Sequence, residues 1–165
     1  MPAVRIEGTP ATKGSLQCMG PRRCKACEAA VYHQLVEDDP TGAGKVWRHL
    51  LEKAGRQLRD SIGRTYTEAV QVDATFALAR PPAAAKRRWP HVRPDVDKLD
   101  RMVLDSLQSA GVIQNDALVC ELTSRKVFAG TLAMLPKPGV LITIAPMVDP
   151  DAPTLFPPTA GAAHA

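Results

Sequence analysis

Aromatic side chains are scarce: Phe, Trp and Tyr make up 4% of the 165 residues. A groove that grips single-stranded nucleic acid by stacking base after base on rings needs more of them, which argues against such a platform. Long apolar runs are missing as well. None approaches the ~18 residues that suggest a membrane span. The opening Met1-Pro2-Ala3-Val4-Arg5-Ile6 lacks the apolar stretch of a secretion signal. A soluble, cytoplasmic protein with no membrane partner is therefore expected. No internal repeat is found. A near-miss motif can be discarded too. Gly42-Ala43-Gly44-Lys45 looks like the end of a phosphate-binding loop, but that pattern needs Gly at 39 and Ser or Thr at 46. The chain has Asp39 and Val46 there.

The length suits one domain with a real core, and the 45% hydrophobic content is ordinary for a globular protein. Net charge is +4 with a pI near 9.0. Its distribution says more than its total. Between Arg80 and Arg93 there are five Lys or Arg residues and no acidic one. Such a patch can hold a phosphate backbone even on a mildly basic chain, although a solvated charged loop is the simpler reading.

Hydropathy alternates with period two at Val4–Glu7 and most cleanly at Val70–Leu78, which predicts strands. Lys45 to about Ile62 and about Asp97 to Ala110 show helical spacing, stopped by Gly63 and Gly111. Leu99, Met102, Val103 and Leu107 form the buried stripe of the second helix. Leu118, Cys120 and Leu122 open a further strand reaching Phe128, with Cys120 as a core residue. Val140–Ile144 is the last strand. Residues 11–34 read as a long loop or loose hairpin, with His33–Glu37 as its returning strand. The expected fold is α+β: a single domain with a small mixed β-sheet and two main helices packed on it. The domain is expected over residues 1–148, with a Cys-rich loop insertion at about 15–36. Residues 149–165, rich in Pro and Ala, are expected to form a disordered tail.

Arg93-Pro94-Asp95-Val96-Asp97 stands at the mouth of the second helix, and Asn115-Asp116 follows it. Asp97 can serve as the helix N-cap. That role leaves Asp95 unexplained, because paired carboxylates repel unless a cation or proton lies between them. Asp97, Arg101 and Asp105 are spaced i, i+4, i+8. They make either an exposed salt-bridged face or a face turned to DNA. Asp95, Asp97 and Asp116 together suit a hard cation. Mg²⁺ held by short oxygen ligands can activate water and offset phosphoryl charge. The Lys86-Arg87-Arg88 tract would meet phosphate nearby.

Asp95-x-Asp97, Leu99, a basic residue at 101, Asp105-x-Leu107 and Asp116 resemble, in order and spacing, the RusA-type Holliday junction resolvases. Gly8-Thr9-Pro10-x-x-Lys13-Gly14 is similar to that family's opening, and Trp47-Arg48 resembles its phage-type members. The resemblance spans about residues 4–145. It implies a homodimer on four-way DNA junctions, each subunit nicking one strand symmetrically with Mg²⁺. It gives Asp95, Asp97 and Asp116 the catalytic, metal-binding positions. Arg101 stands where the family has an important lysine. Lys13, Lys86, Arg87, Arg88, Arg93 and Lys98 would contact DNA. The chain departs from the pattern at Lys98, Arg101, Asn115 and Leu118, and Arg is not interchangeable with Lys. The Arg101 and Asn115 departures support a second reading, a catalytically inactive, zinc-stabilised DNA-binding protein, and a third is a nuclease acting on forks or flaps.

Cys18, Cys24, Cys27 and His33 have the spacing C-x₅-C-x₂-C-x₅-H. Three thiolates and an imidazole suit a structural tetrahedral Zn²⁺, with unligated thiols or a redox pair as alternatives. Zinc there would order a basic loop carrying Arg22, Arg23 and Lys25.

Overall fold

A computed structural model describes residues 1–12, 16–23, 30–37 and 39–148, with backbone alone at 16, 17, 22 and 30–37. Six strands and two main helices appear in the order β1 (Ala3–Glu7), β2 (Leu16–Arg23), β3 (Ala30–Glu37), α1 (Ala43–Ile62), β4 (Val70–Leu78), α2 (Val96–Ser109), β5 (Val119–Phe128) and β6 (Gly139–Pro146). Four strands make a mixed sheet ordered β1-β6-β4-β5. β6 pairs antiparallel with β1 and β4, whereas β4 and β5 run parallel. A parallel pair needs a crossover connection, and α2 lies within that connection. β2 and β3 form a separate antiparallel hairpin. The α+β class is thus observed, and of the long loop or loose hairpin expected at 11–34 it is the hairpin that is found, with a returning strand over Ala30–Glu37 where His33–Glu37 was expected.

Alternation along β4 decides which face is covered. Val70, Val72, Ala74 and Phe76 share one core with Val140, Ile142 and Ile144 of β6, Trp47 and Leu51 of α1, and Leu99, Met102 and Val103 of α2. Both helices therefore lie on one face of the sheet. Full burial of each large apolar side chain contributes about 1.5–3 kcal/mol. Gly55, an unfavourable residue inside a helix by propensity, marks the helix crossing. A Cβ there would lie 2.7 Å from the Ala110 methyl. Gly139 has a comparable role in the sheet, since a Cβ would lie 2.1 Å from the Ile6 carbonyl oxygen.

One expected core residue is not in the core. Cys120 is exposed. In the β4–β5 ladder Val70 pairs with Val119 and Gln71 with Glu121, so Cys120 has no partner and the register shifts there. The bulge resets the alternation, and Leu118-Cys120-Leu122 is not a continuous inward row.

Candidate active site

α2 begins one step earlier than its sequence suggests. Asp95 is the N-cap, in an extended conformation, and Asp97 lies in the first turn. The capping expected of Asp97 therefore does not occur. Nor does Asp95 cap the helix with its side chain, since its carboxylate makes no capping bond. Asp95 lies 3.8 Å from Lys98 Nζ, one turn along, with both side chains about half exposed. Asp97 and Arg101 are exposed as well. Asp105 is half-buried instead, and lines a polar cleft of about 460 Å³ with Arg48 of α1.

Asp116 opens a short 3₁₀ turn, Asp116–Leu118, that packs against α2 just before β5. Asn115 has a structural role there: its side-chain oxygen accepts the Ala117 N–H at 2.8 Å. Among the described residues, no three Asp, Glu, His or Cys side chains are gathered into a set that could hold a metal ion. Asp95, Asp97 and Asp116 therefore do not form a closed cage. They come from two segments, the mouth of α2 and the turn after it. Their chemistry still suits a hard cation, because all three are exposed carboxylates. Mg²⁺ commonly retains several waters and takes only one or two protein carboxylates plus substrate phosphates, so a closed cage is not required.

A fourth carboxylate escaped the sequence reading. Asp100 is 8% exposed, and the Ser124 hydroxyl of β5 donates to it at 2.6 Å. Burial pushes its carboxyl above the ordinary range, the Ser124 hydrogen bond opposes that rise, and the charge of Asp97 adds to it. The signal was present in the sequence. Asp100 occupies a slot of the apolar stripe, between Leu99 and Val103, where a polar residue calls for a partner.

The loop from Ala79 to Asp95 carries most of the local positive charge. Arg80 Nη1 donates to the carbonyls of Ala84 (3.2 Å), Ala85 (3.4 Å) and Arg87, and its guanidinium lies 4.0 Å from the Phe128 ring centroid. Lys86, Arg87 and Arg88 are all exposed. Trp89, 53% exposed, follows them with the Arg88 guanidinium 5.6 Å from its ring. At the far end, Lys126 Nζ donates to the carbonyls of Val92 (3.0 Å) and Pro94 (2.7 Å). Arg93, Asp95 and Lys98 line an open cleft of about 470 Å³ with Thr12, Asp39 and Thr41, at the mouths of both main helices. Asp39 Oδ2 accepts the Lys45 N–H at 3.1 Å. A carboxylate thus sits at the start of α1, which is the physical reason Gly42–Lys45 is no phosphate loop.

The expected zinc ligands Cys24 and Cys27, the side chain of His33, and Lys13 lie outside the described residues, as does the tail 149–165. Cys18 is exposed on β2. The hairpin register pairs Cys18 with Leu35 and Pro21 with His33, which brings the backbones of Cys18 and His33 onto neighbouring strands. No helix among the described residues is long and apolar enough to cross a membrane.

A mixed sheet, one helix with carboxylates at its mouth and a cationic loop leading into it make up one α+β domain. The model of the RusA endodeoxyribonuclease family matches residues 30–144, well over half of the chain, and the chain belongs to that family. Endodeoxyribonuclease activity on Holliday junction DNA is what that membership implies. A comparison with curated proteins gave no match.

Proposed function

We propose that this protein is a Mg²⁺-dependent endonuclease that resolves four-way DNA junctions as a homodimer, by symmetrical paired nicks. The observation that carries this reading is the mouth of α2. Asp95 stands at the N-cap with a carboxylate that makes no capping bond, Asp97 follows in the first turn, and the cationic loop leads directly into them. Asp95, Asp97 and Asp116 would hold Mg²⁺, which when bound supplies an activated water and offsets charge on the phosphoryl oxygens. Arg101, exposed one turn beyond Asp97, would meet phosphate charge as a fixed cation. Lys13, Lys86, Arg87, Arg88, Arg93 and Lys98 would contact the backbone and make binding salt-dependent. A two-fold dimer matches the two-fold symmetry of a junction, with one site for each of two opposed strands. A structural Zn²⁺ on Cys18, Cys24, Cys27 and His33 completes the proposal, supported by the hairpin register.

The test is cleavage of an end-labelled synthetic four-way junction, with linear duplex, fork and flap substrates beside it. Paired nicks should require Mg²⁺ and vanish in EDTA. Asp97→Asn should lower the rate by more than the ~10–100-fold that losing an outer partner of a metal ligand costs. Unchanged Mg²⁺-dependent cutting by Asp97→Asn would overturn the ligand assignment. One observation favours a second reading, a DNA-binding protein without catalysis: the lack of a gathered metal-ligand set among the described residues. Tight junction binding with no cutting in Mg²⁺ would establish it, and cutting confined to forks or flaps would redirect the substrate.

A further inference from the structure

We infer that Arg80 and Lys126 are positioning residues that divide one loop between them: Arg80 shapes the phosphate-binding tract, and Lys126 sets the start of α2 and its Asp95. The inference rests on the proposed reading of Asp95 and Asp97 as metal ligands and of the tract as a DNA contact. The loop between β4 and α2 is long, and its only regular element is the 3₁₀ turn Pro82–Ala84. Loops of that length with little structure of their own are usually functional or disordered. Here two cations fasten it to itself and to β5.

Arg80 counts as a phosphate contact in any tally of charge. Its geometry points elsewhere. One guanidinium nitrogen donates to the carbonyls of Ala84, Ala85 and Arg87, and the plane covers Phe128. The backbone is thereby folded around Arg80, while the neighbouring Lys86, Arg87 and Arg88 are left exposed. Lys126 treats the other end in the same way. Its ammonium bridges the carbonyls of Val92 and Pro94. The Pro94 carbonyl belongs to the peptide that leads into Asp95, so holding it fixes the direction from which the Asp95 side chain leaves the backbone. Lys126 and Phe128 are two residues apart and pair with Phe76 and Leu78, so both lie on the helix side of β5. One strand end therefore anchors both halves of the loop. All of these hydrogen bonds end on backbone carbonyls of the loop.

Such a division makes separable predictions. A reacting group displaced by about 1 Å can lose on the order of 10²-fold in rate, whereas loosening a phosphate-contacting tract weakens binding. Lys126→Met should slow single-turnover cleavage of a labelled four-way junction in Mg²⁺ by about 10–100-fold, with the junction Kd within about twofold of wild type. Lys126→Arg, which retains a donor cation, should recover most of that rate. Arg80→Met should raise the Kd and KM by about tenfold, the larger effect falling on binding rather than on kcat. Loss of rate and affinity by the same factor in both variants, or no change in either, would overturn the inference, as would failure of Lys126→Arg to recover. Hydrogen exchange of the same intact proteins gives a readout independent of cutting. Exchange should rise in residues 92–98 for Lys126→Met and in residues 82–89 for Arg80→Met. A rise in both halves for either variant, or in neither, would refute the division. Wild type that exchanges as expected but cuts no junction would count against the proposed function and leave the two clamps standing.

Discussion

Ser124→Ala isolates the hydrogen bond that ties α2 to the edge strand β5. The Ser124 hydroxyl donates to Asp100 at 2.6 Å, and Asp100 is 8% exposed. Hydrogen bonds to charged groups contribute about 1.5–3 kcal/mol, and a buried acceptor left without its donor bears its own desolvation cost. A loss of about 2 kcal/mol at pH 7 is therefore expected, which for a chain of this size lowers the melting temperature by about 4–8 °C. The pH dependence makes the test specific. Burial already holds the Asp100 carboxyl above its ordinary range, and the Ser124 bond is what opposes that rise. Removing it raises the carboxyl further. An acid raised in the folded state favours folding in its protonated form. That contribution is complete below the unfolded value, about 3.9, and is lost as pH climbs through the folded one. The variant loses more on that climb, so its deficit should be largest at pH 7 and shrink toward pH 4. Urea unfolding of both proteins at the two pH values measures it. On an Asp100→Asn background the carboxylate is gone but an acceptor remains, and Ser124→Ala should then cost about 1 kcal/mol at either pH. A deficit that is the same at pH 4 and pH 7 in the wild-type background, or one below about 0.5 kcal/mol, would refute this account of Asp100.

Three further outcomes are expected. Gly139→Ala should destabilise the fold by about 3 kcal/mol or more, read by thermal unfolding, because the new Cβ would meet the Ile6 carbonyl of the paired strand rather than a movable side chain. Trp89→Ala should weaken junction binding by about 1–3 kcal/mol, the range for one base stacked on a ring, without changing the melting temperature. Gel shift and calorimetry together separate the two. Elemental analysis should find one zinc per chain, lost in the Cys24→Ser/Cys27→Ser double variant, whereas metal-free protein that is fully folded would retire the zinc proposal.

The β4 strand and the buried stripe of α2 were legible because each is repeated several times over. Val70, Val72, Ala74 and Phe76 all face the helices, and Leu99, Met102, Val103 and Leu107 are all buried. Features that depend on one residue or on a distant partner were not. Whether Asp95 or Asp97 caps α2 is a shift of two residues, and helix propensity is nearly indifferent to it. The bulge at Cys120 inverts a period-two pattern without altering composition. The β2–β3 hairpin was legible only as one of two alternatives, because a stretch so rich in Gly, Cys and basic residues shows little alternation outside its returning strand. The parallel pairing of β4 with β5 follows from the path of the chain across the sheet and leaves no periodic trace.

Charge is the most instructive case. Sequence shows where cations are dense but not what each one faces. Five lie between Arg80 and Arg93, yet Arg80 is turned to backbone carbonyls. Lys126, far away in sequence, closes the other end of the loop. A carbonyl and a phosphate oxygen are both acceptors, and a lysine or arginine suits either. Only the fold distinguishes a cation that builds the site from one that meets its ligand. Here it ranks them by what they touch: Lys86, Arg87 and Arg88 stand outward, available to a backbone of the opposite sign, while Arg80 holds the carbonyls of Ala84, Ala85 and Arg87 and Lys126 those of Val92 and Pro94, just before Asp95.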